Sequence, residues 1–77
     1  MSEHWRMDLN NYVQINNLGP YVQWTQHQTG PRNAPTWTAT VIFNGVEYGR
    51  GSATNLGAAR EIAAEQALRA LWYHRGR

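Results

Sequence analysis

The chain has 77 residues, seven Arg, no Lys, no Cys and a formal charge of +2. A chain of this length forms one small domain that buries about 60% of its unfolded surface, so we expect a single domain over 1–77 with its core in 3–71. The absence of Cys excludes disulfides and thiolate metal sites, the mild basic charge permits a nucleic-acid partner, and no apolar run has the length of a membrane span. We therefore expect an intracellular protein, cytoplasmic and/or nuclear, with no membrane partner.

The first predicted element is a helix from Glu3 to about Asn16. Ser2 is placed to cap it, and Glu3 lies near the positive end of the helix dipole. The helical period predicts a core face of Trp5, Leu9, Tyr12, Val13 and Asn16. The opposite face is rich in amides and poor in charge: Met7, Asn10, Asn11 and Gln14.

Three strands are predicted next. Gly19-Pro20 ends the helix, and a first strand follows from Tyr21 to about Gln28. After a loop over 29–35, the segment Thr36–Phe43 alternates with the period of a half-buried strand. Its core-facing side chains are Trp37, Ala39, Val41 and Phe43, and its outward ones are Thr36, Thr38, Thr40 and Ile42. The three tryptophans Trp5, Trp24 and Trp37 are expected in the core.

A hairpin connects the second strand to the third. Asn44-Gly45 is a strong signal for a type I′ turn, in which both residues have positive φ. The third strand is predicted from Val46 to about Arg50. Gly49 and Gly51 are expected to break the sheet there.

A second helix is predicted from Leu56 to about Leu71, with Asn55 as its cap. A stripe of small and apolar residues would let it lie close to the sheet: Ala59, Ala63, Ala64, Ala67, Leu68 and Leu71. Glu65 and Arg69 have the spacing of a helix-stabilising ion pair. The residues from Trp72 to Arg77 lie beyond the periodic pattern.

The order of elements predicts an α+β fold, α-β-β-β-α, with a three-stranded antiparallel sheet and two helices packed on one face. His4, His27 and His74 lack metal-ligand spacing, so no metal site is expected. No nucleophile, base and orienting group can be assembled from the sequence. We expect no catalytic residues, no cofactor and no small-molecule substrate.

A long part of the chain resembles a double-stranded RNA-binding domain. The resemblance rests on Gly-Pro-Arg-Asn-Ala-Pro at 30–35, the strand and turn at 36–45, Gly-Arg-Gly at 49–51 and the alanine-rich helix at 58–68. It covers about Leu9 to Leu71. Domains of this family recognise the shape of duplex RNA, touching two minor grooves and the phosphates between them over ~16 bp.

The resemblance implies three contact patches. Leu9-Asn10-Asn11-Tyr12-Val13-Gln14 is similar to the family's Leu-Asn-Glu-Tyr-x-Gln, which implies minor-groove contacts for Asn11 and Gln14. The second patch is the loop with Pro31, Arg32 and Asn33, where Asn33 replaces the family's His. The third patch begins the second helix, with Thr54, Asn55 and Arg60. Relatives carry two Lys there that Leu56 and Gly57 replace, so this chain should make fewer phosphate contacts.

An alternative from another functional class stays open. Without the two Lys, a domain of this fold could act in protein association or homodimerisation, through a strand edge and the aromatic pair Trp72 and Tyr73. Each patch also has a plainer interpretation, as a solvated helix face, a strand connection or a hydrophobic rim. Double-stranded RNA is the expected partner, and a protein partner or second copy is the alternative.

Overall fold

The computed structural model describes residues 4–75, with side chains for 4–73. The elements in chain order are helix α1 (Trp5–Ile15), a short 3-10 turn (Gly19–Tyr21), strands β1 (Val22–Thr29), β2 (Thr36–Phe43) and β3 (Val46–Ala53), and helix α2 (Leu56–Arg75). The strands form one antiparallel sheet in the order β1-β2-β3. The α+β prediction, α-β-β-β-α, is confirmed.

The core lies between α2, the sheet and α1. α2 packs across β3 and β2, and α1 packs against α2. The predicted stripe on α2 is fully buried. It shares the core with Leu9 and Val13 of α1, with Leu18 after α1, and with Ala39 and Val41 of β2. The stripe is mostly Ala, so the helix backbone can approach the sheet closely.

The third strand is longer than predicted, because Gly49 and Gly51 do not break the sheet. They pair with Val41 and Ala39, and β3 continues to Ala53. A Cβ on Gly49 would collide with the carbonyl oxygen of Ala63 and come within 2.7 Å of the Ala67 nitrogen. The glycines therefore mark the place where α2 touches β3, and the prediction that they end the strand was wrong.

The predicted hairpin between β2 and β3 is confirmed. Asn44 and Gly45 have φ values of 53° and 83°, the positive values that a type I′ turn requires. Phe43 pairs with Val46 across this two-residue loop. The register then shifts between Val41 and Ile42, where β3 has an irregularity of the bulge type.

The ends of the two helices differ in part from the prediction. Ser2 and Glu3 lie outside the described residues, and α1 begins at Trp5 after His4, which makes no side-chain capping bond. The predicted cap of α2 is confirmed, since the Asn55 Oδ1 accepts a hydrogen bond of 2.8 Å from the Ala58 nitrogen. α2 continues to Arg75 instead of ending near Leu71. Its buried stripe ends at Leu71, but residues 72–75 include no Gly or Pro that would stop the helix.

Two burial predictions were wrong. Trp24 was expected in the core, but it is 40% exposed. It pairs with Val41 and so lies on the helix-facing side of the sheet, yet α2 covers β3 and β2 and leaves β1 open. Thr38 and Thr40 were expected to face solvent, but both are buried. The reason is that β2 is the central strand, so side chains of β1 and β3 flank both residues. The Thr38 hydroxyl lies 2.9 Å from the Ser52 hydroxyl, within hydrogen-bonding distance.

Candidate nucleic-acid interface

An open cleft separates α1, the first turns of α2 and strand β1. Its volume is about 670 Å³, and its lining residues are His4, Arg6, Met7, Asn10, Trp24, Arg60 and Glu61. Met7 and Asn10 belong to the amide-rich face of α1 that also carries Asn11 and Gln14. Asn10 therefore lies in the same cleft as Arg60 of the third patch, whereas Asn11 and Gln14 do not line it.

The predicted contact residues are accessible. Arg60 is half-buried. The other seven are exposed: Asn11, Gln14, Pro31, Arg32, Asn33, Thr54 and Asn55. Asn11 and Gln14 are three residues apart on α1, so their side chains are neighbours on the helix surface. All eight side chains can therefore be reached by a large ligand.

A tight turn sets the geometry of the second patch. The Ala34 nitrogen donates a 3.0 Å hydrogen bond to the Pro31 carbonyl oxygen, which closes a four-residue turn. Arg32 and Asn33 are its two central residues. Gly30 enters the turn with a φ of 91°, a conformation that favours glycine. The loop thus presents Arg32 and Asn33 at its tip.

The first turn of α2 offers hydrogen-bond donors to an anion, although Leu56 and Gly57 replace the two Lys that relatives carry there. The Asn55 Oδ1 is occupied by the Ala58 nitrogen, so the part of Asn55 left for a ligand is its NH₂ group. The nitrogens of Leu56 and Gly57 precede the first intrahelical hydrogen bond and point out of the helix end. Backbone donors and the helix dipole favour a phosphate at such an end.

The described arginines divide into two groups. Arg6, Arg50 and Arg69 form ion pairs with Glu61, Glu47 and Glu65 at 2.7, 2.8 and 2.9 Å. Among the residues with described side chains, neither Arg32 nor Arg60 has a carboxylate within ion-pair distance. Among the described side chains, the guanidinium groups that no carboxylate neutralises thus lie at the second and third patches.

Arg60 has a neutral partner. Its Nη2 donates a hydrogen bond to the Oε1 of Gln26 on β1, 34 residues away in sequence. Gln26 pairs with the buried Ala39, so it lies on the helix-facing side of the sheet. The sequence analysis missed both Gln26 and Trp24. A signal was present in the alternation of β1, which puts a polar Gln at a position that should face the core.

Comparison with known proteins identifies the family. The family model described as "Double-stranded RNA binding motif" matches residues 5–71. The chain belongs to this family. No curated protein matches the chain at a significant level.

Solved structures of double-stranded RNA-binding domains (dsRBDs) are similar to this one. A structure of Arabidopsis HYL1, described with its implications for miRNA processing, is 32% identical, with a TM-score of 0.76, and the match covers 90% of this chain and 97% of that one. The first dsRBD of HYL1 is 34% identical, with a TM-score of 0.72 and coverages of 86% and 93%. A DRB4 fragment with both dsRBDs and their linker is 24% identical, with a TM-score of 0.69 and coverages of 92% and 46%, which shows likeness of fold.

An ion pair ties the two helices of this domain together beside the cleft. Glu61 on α2 accepts hydrogen bonds from the Trp5 nitrogen at 2.7 Å and from the Arg6 Nε at 2.7 Å. Burial alone would raise the pKa of Glu61, but the hydrogen bonds from Arg6 and Trp5 outweigh it and hold that pKa below its usual value. Glu61 therefore holds the start of α1 against α2 and neutralises the charge of Arg6.

The predicted partner surface lies at the other end of α2. Trp72 is 49% exposed and Tyr73 is 64% exposed in the last turns of the helix. Ile62 is also exposed, but it lies ten residues earlier, about 15 Å along the helix axis from Trp72. Among the described residues no group of His, Cys, Asp or Glu could hold a metal ion, and no helix is long and apolar enough to cross a membrane. The His74 side chain lies outside the described residues.

Proposed function

We propose that this domain binds double-stranded RNA by the shape of the A-form duplex, without reading base sequence and without catalysing a reaction. The observation that carries the proposal is the position of the guanidinium groups that no carboxylate neutralises. Of the five described arginines, only Arg32 and Arg60 lack an ion-pair partner within the described part of the chain, and they lie at two of the three expected contact patches.

Each patch has a role in this proposal. Asn11 and Gln14 on α1 would bond ribose 2′-hydroxyls in one minor groove, since an amide both donates and accepts. Pro31, Arg32 and Asn33 would enter the next minor groove. Thr54, Asn55 and Arg60 would meet the phosphates between the grooves. The loop begins at Gly30, four residues along β1 from Gln26, the partner of Arg60, and this is about 13 Å at the rise of a strand. The second and third patches are therefore separate contact points on one domain, as contact with successive grooves requires.

The proposal implies a shallow dependence of affinity on salt. Each phosphate contact made by a charged side chain contributes about −0.9 to the slope of log K against log salt. With the two described guanidinium groups that form no ion pair, Arg32 and Arg60, the slope should be close to about −2. Backbone donors at the start of α2 and amide contacts to ribose add affinity with little dependence on salt.

The test compares matched arginine variants by fluorescence anisotropy with a perfect RNA duplex longer than ~16 bp, over a range of salt concentrations. Arg60→Gln and Arg32→Gln should each lower the magnitude of the slope by about 0.9. Arg50→Gln and Arg69→Gln remove the same formal charge from arginines paired with Glu, and they should leave the slope nearly unchanged. Equal effects of all four variants would refute the assignment of the interface, as would unchanged affinity in an Asn33→Ala, Arg60→Ala double variant.

The structural neighbours suggest a setting for this activity. Because a similar HYL1 structure is described in connection with miRNA processing, we include in the proposal that this domain holds duplex RNA during processing or silencing inside the cell, cytoplasmic and/or nuclear. The proposal needs no cofactor and no small-molecule substrate. Immunoprecipitation of the cross-linked protein, followed by sequencing of the bound RNA, would test it, and enrichment of single-stranded RNA over duplexes would contradict it.

Protein association is the second candidate function, favoured by the exposed aromatic side chains of Trp72 and Tyr73. A homodimer through this surface should dissociate in a Trp72→Ala variant, as measured by light scattering. Ile15→Ala, which also removes an exposed apolar side chain, is the control. A chain that is monomeric at all concentrations would argue against homodimerisation.

A further inference from the structure

The hydrogen bond between Gln26 and Arg60 has a geometry suited to holding a guanidinium group for a ligand. Gln26 is exposed on β1 and Arg60 is half-buried on α2, and their bond joins the two elements beside the cleft that Arg60 lines. It uses one of the five N–H donors of the guanidinium group. The remaining donors can still form the two parallel hydrogen bonds that arginine makes to a phosphate.

The chemical nature of the partner distinguishes Arg60 from the other arginines with described partners. Arg6, Arg50 and Arg69 are held by carboxylates, which orient the guanidinium group but also neutralise it. The Gln26 amide accepts the same kind of hydrogen bond and carries no charge. Arg60 is therefore oriented and remains fully positive.

We propose that Gln26 is a positioning residue for RNA binding, and that the neutral amide at this position determines whether the start of α2 can capture a phosphate. The inference rests on the proposed function. A guanidinium group that is already oriented loses less conformational freedom when it binds. In this way one well-placed Arg offsets part of the charge that is missing at Leu56 and Gly57.

Two substitutions separate the two effects of Gln26. Gln26→Glu keeps an acceptor of the same length but adds a charge, so it should pair with Arg60 and remove its phosphate contact. The magnitude of the slope of log K against log salt should then decrease by about 0.9. Over the tenfold range from about 1 M to about 0.1 M salt this amounts to about 0.9 log units, so affinity at about 0.1 M salt should fall about 8-fold. Gln26→Ala keeps the charge of Arg60 and loses only its orientation, so affinity should fall while the slope stays the same.

The control is Gln23→Glu on the same strand. Gln23 is also exposed, but it pairs with Ile42 and lies on the sheet face opposite the helices. The variant adds the same charge without reaching Arg60, and its slope should equal that of the unmodified chain. Thermal melts of every variant establish that the domain is folded under the conditions of the binding assay.

The outcomes distinguish this inference from the proposed function. If the unmodified chain does not bind duplex RNA, the proposed function fails and the inference falls with it. If the chain binds but Gln26→Glu and Gln23→Glu weaken binding equally, the inference alone is overturned. The decisive support is a larger effect of Gln26→Glu that disappears when Arg60→Gln is already present, because the two changes then remove the same contact.

Discussion

Replacement of Gly49 by Ala tests the close contact between α2 and β3. The added Cβ would collide with the Ala63 carbonyl oxygen and lie 2.7 Å from the Ala67 nitrogen and 3.1 Å from the Ala67 Cβ. Two of these three atoms belong to the backbone, so no side-chain rotation relieves the clash and α2 must move away from the sheet. Overpacking of this kind costs about 1–3 kcal/mol. For a domain of this size each kcal/mol lowers Tm by about 4–8 °C, so we expect a decrease of about 4–24 °C.

The assay is thermal unfolding followed by circular dichroism, and Gly57→Ala is the matched control. A Cβ on Gly57 would meet no atom closer than the Asn55 Oδ1 at 3.5 Å, and it would replace Gly by a better helix former. The control should therefore be as stable as the unmodified chain or more stable. A Gly49→Ala variant with an unchanged Tm would refute the account of how α2 packs on β3.

Three further predictions concern polar contacts of α2. Because the folded-state pKa of Glu61 is lowered, its contribution to stability is complete above its unfolded pKa of about 4.3 and is lost as pH falls through the folded value. A Glu61→Gln variant should thus be less stable at pH 7, and thermal melts should show this difference narrowing towards pH 3; a constant difference would contradict the assignment. Asn55→Ala should lower stability by about 1 kcal/mol through loss of the cap. Asn55→Asp should retain the cap and the Tm, but weaken RNA binding in the anisotropy assay by adding a negative charge beside the phosphates; unchanged binding would remove Asn55 from the interface.

The features that the sequence predicted well are set by neighbours along the chain. The strand Thr36–Phe43 follows from alternation, and the turn at Asn44-Gly45 follows from the positive φ that both residues tolerate. The buried alanines of α2 follow from helical periodicity. In each case the pattern and its structural cause lie within a few residues of each other.

The features that the sequence did not reveal depend on distant elements. Gly49 breaks a strand in isolation, but here it is required where α2 crosses β3. Trp24 is exposed because α2 leaves β1 uncovered, and no local pattern reports where a helix will lie on a sheet.

The sequence did not reveal the partners of Arg6 and Arg60, because these partners also lie on distant elements. Arg6 pairs with Glu61, 55 residues away, whereas Arg60 pairs with an amide. The number of charged residues alone could not show which arginines are neutralised by a carboxylate and which can bind a ligand.

Binding of the purified chain to three nucleic acids is the most direct test of the central claim. Fluorescence anisotropy would compare an RNA duplex longer than ~16 bp, the DNA duplex of the same sequence and the single-stranded RNA under identical salt. Recognition by A-form shape and 2′-hydroxyls predicts tight binding to the RNA duplex alone, and equal affinity for RNA duplexes of unrelated sequence. Equal affinity for all three nucleic acids, or binding to none of them at low salt, would contradict it.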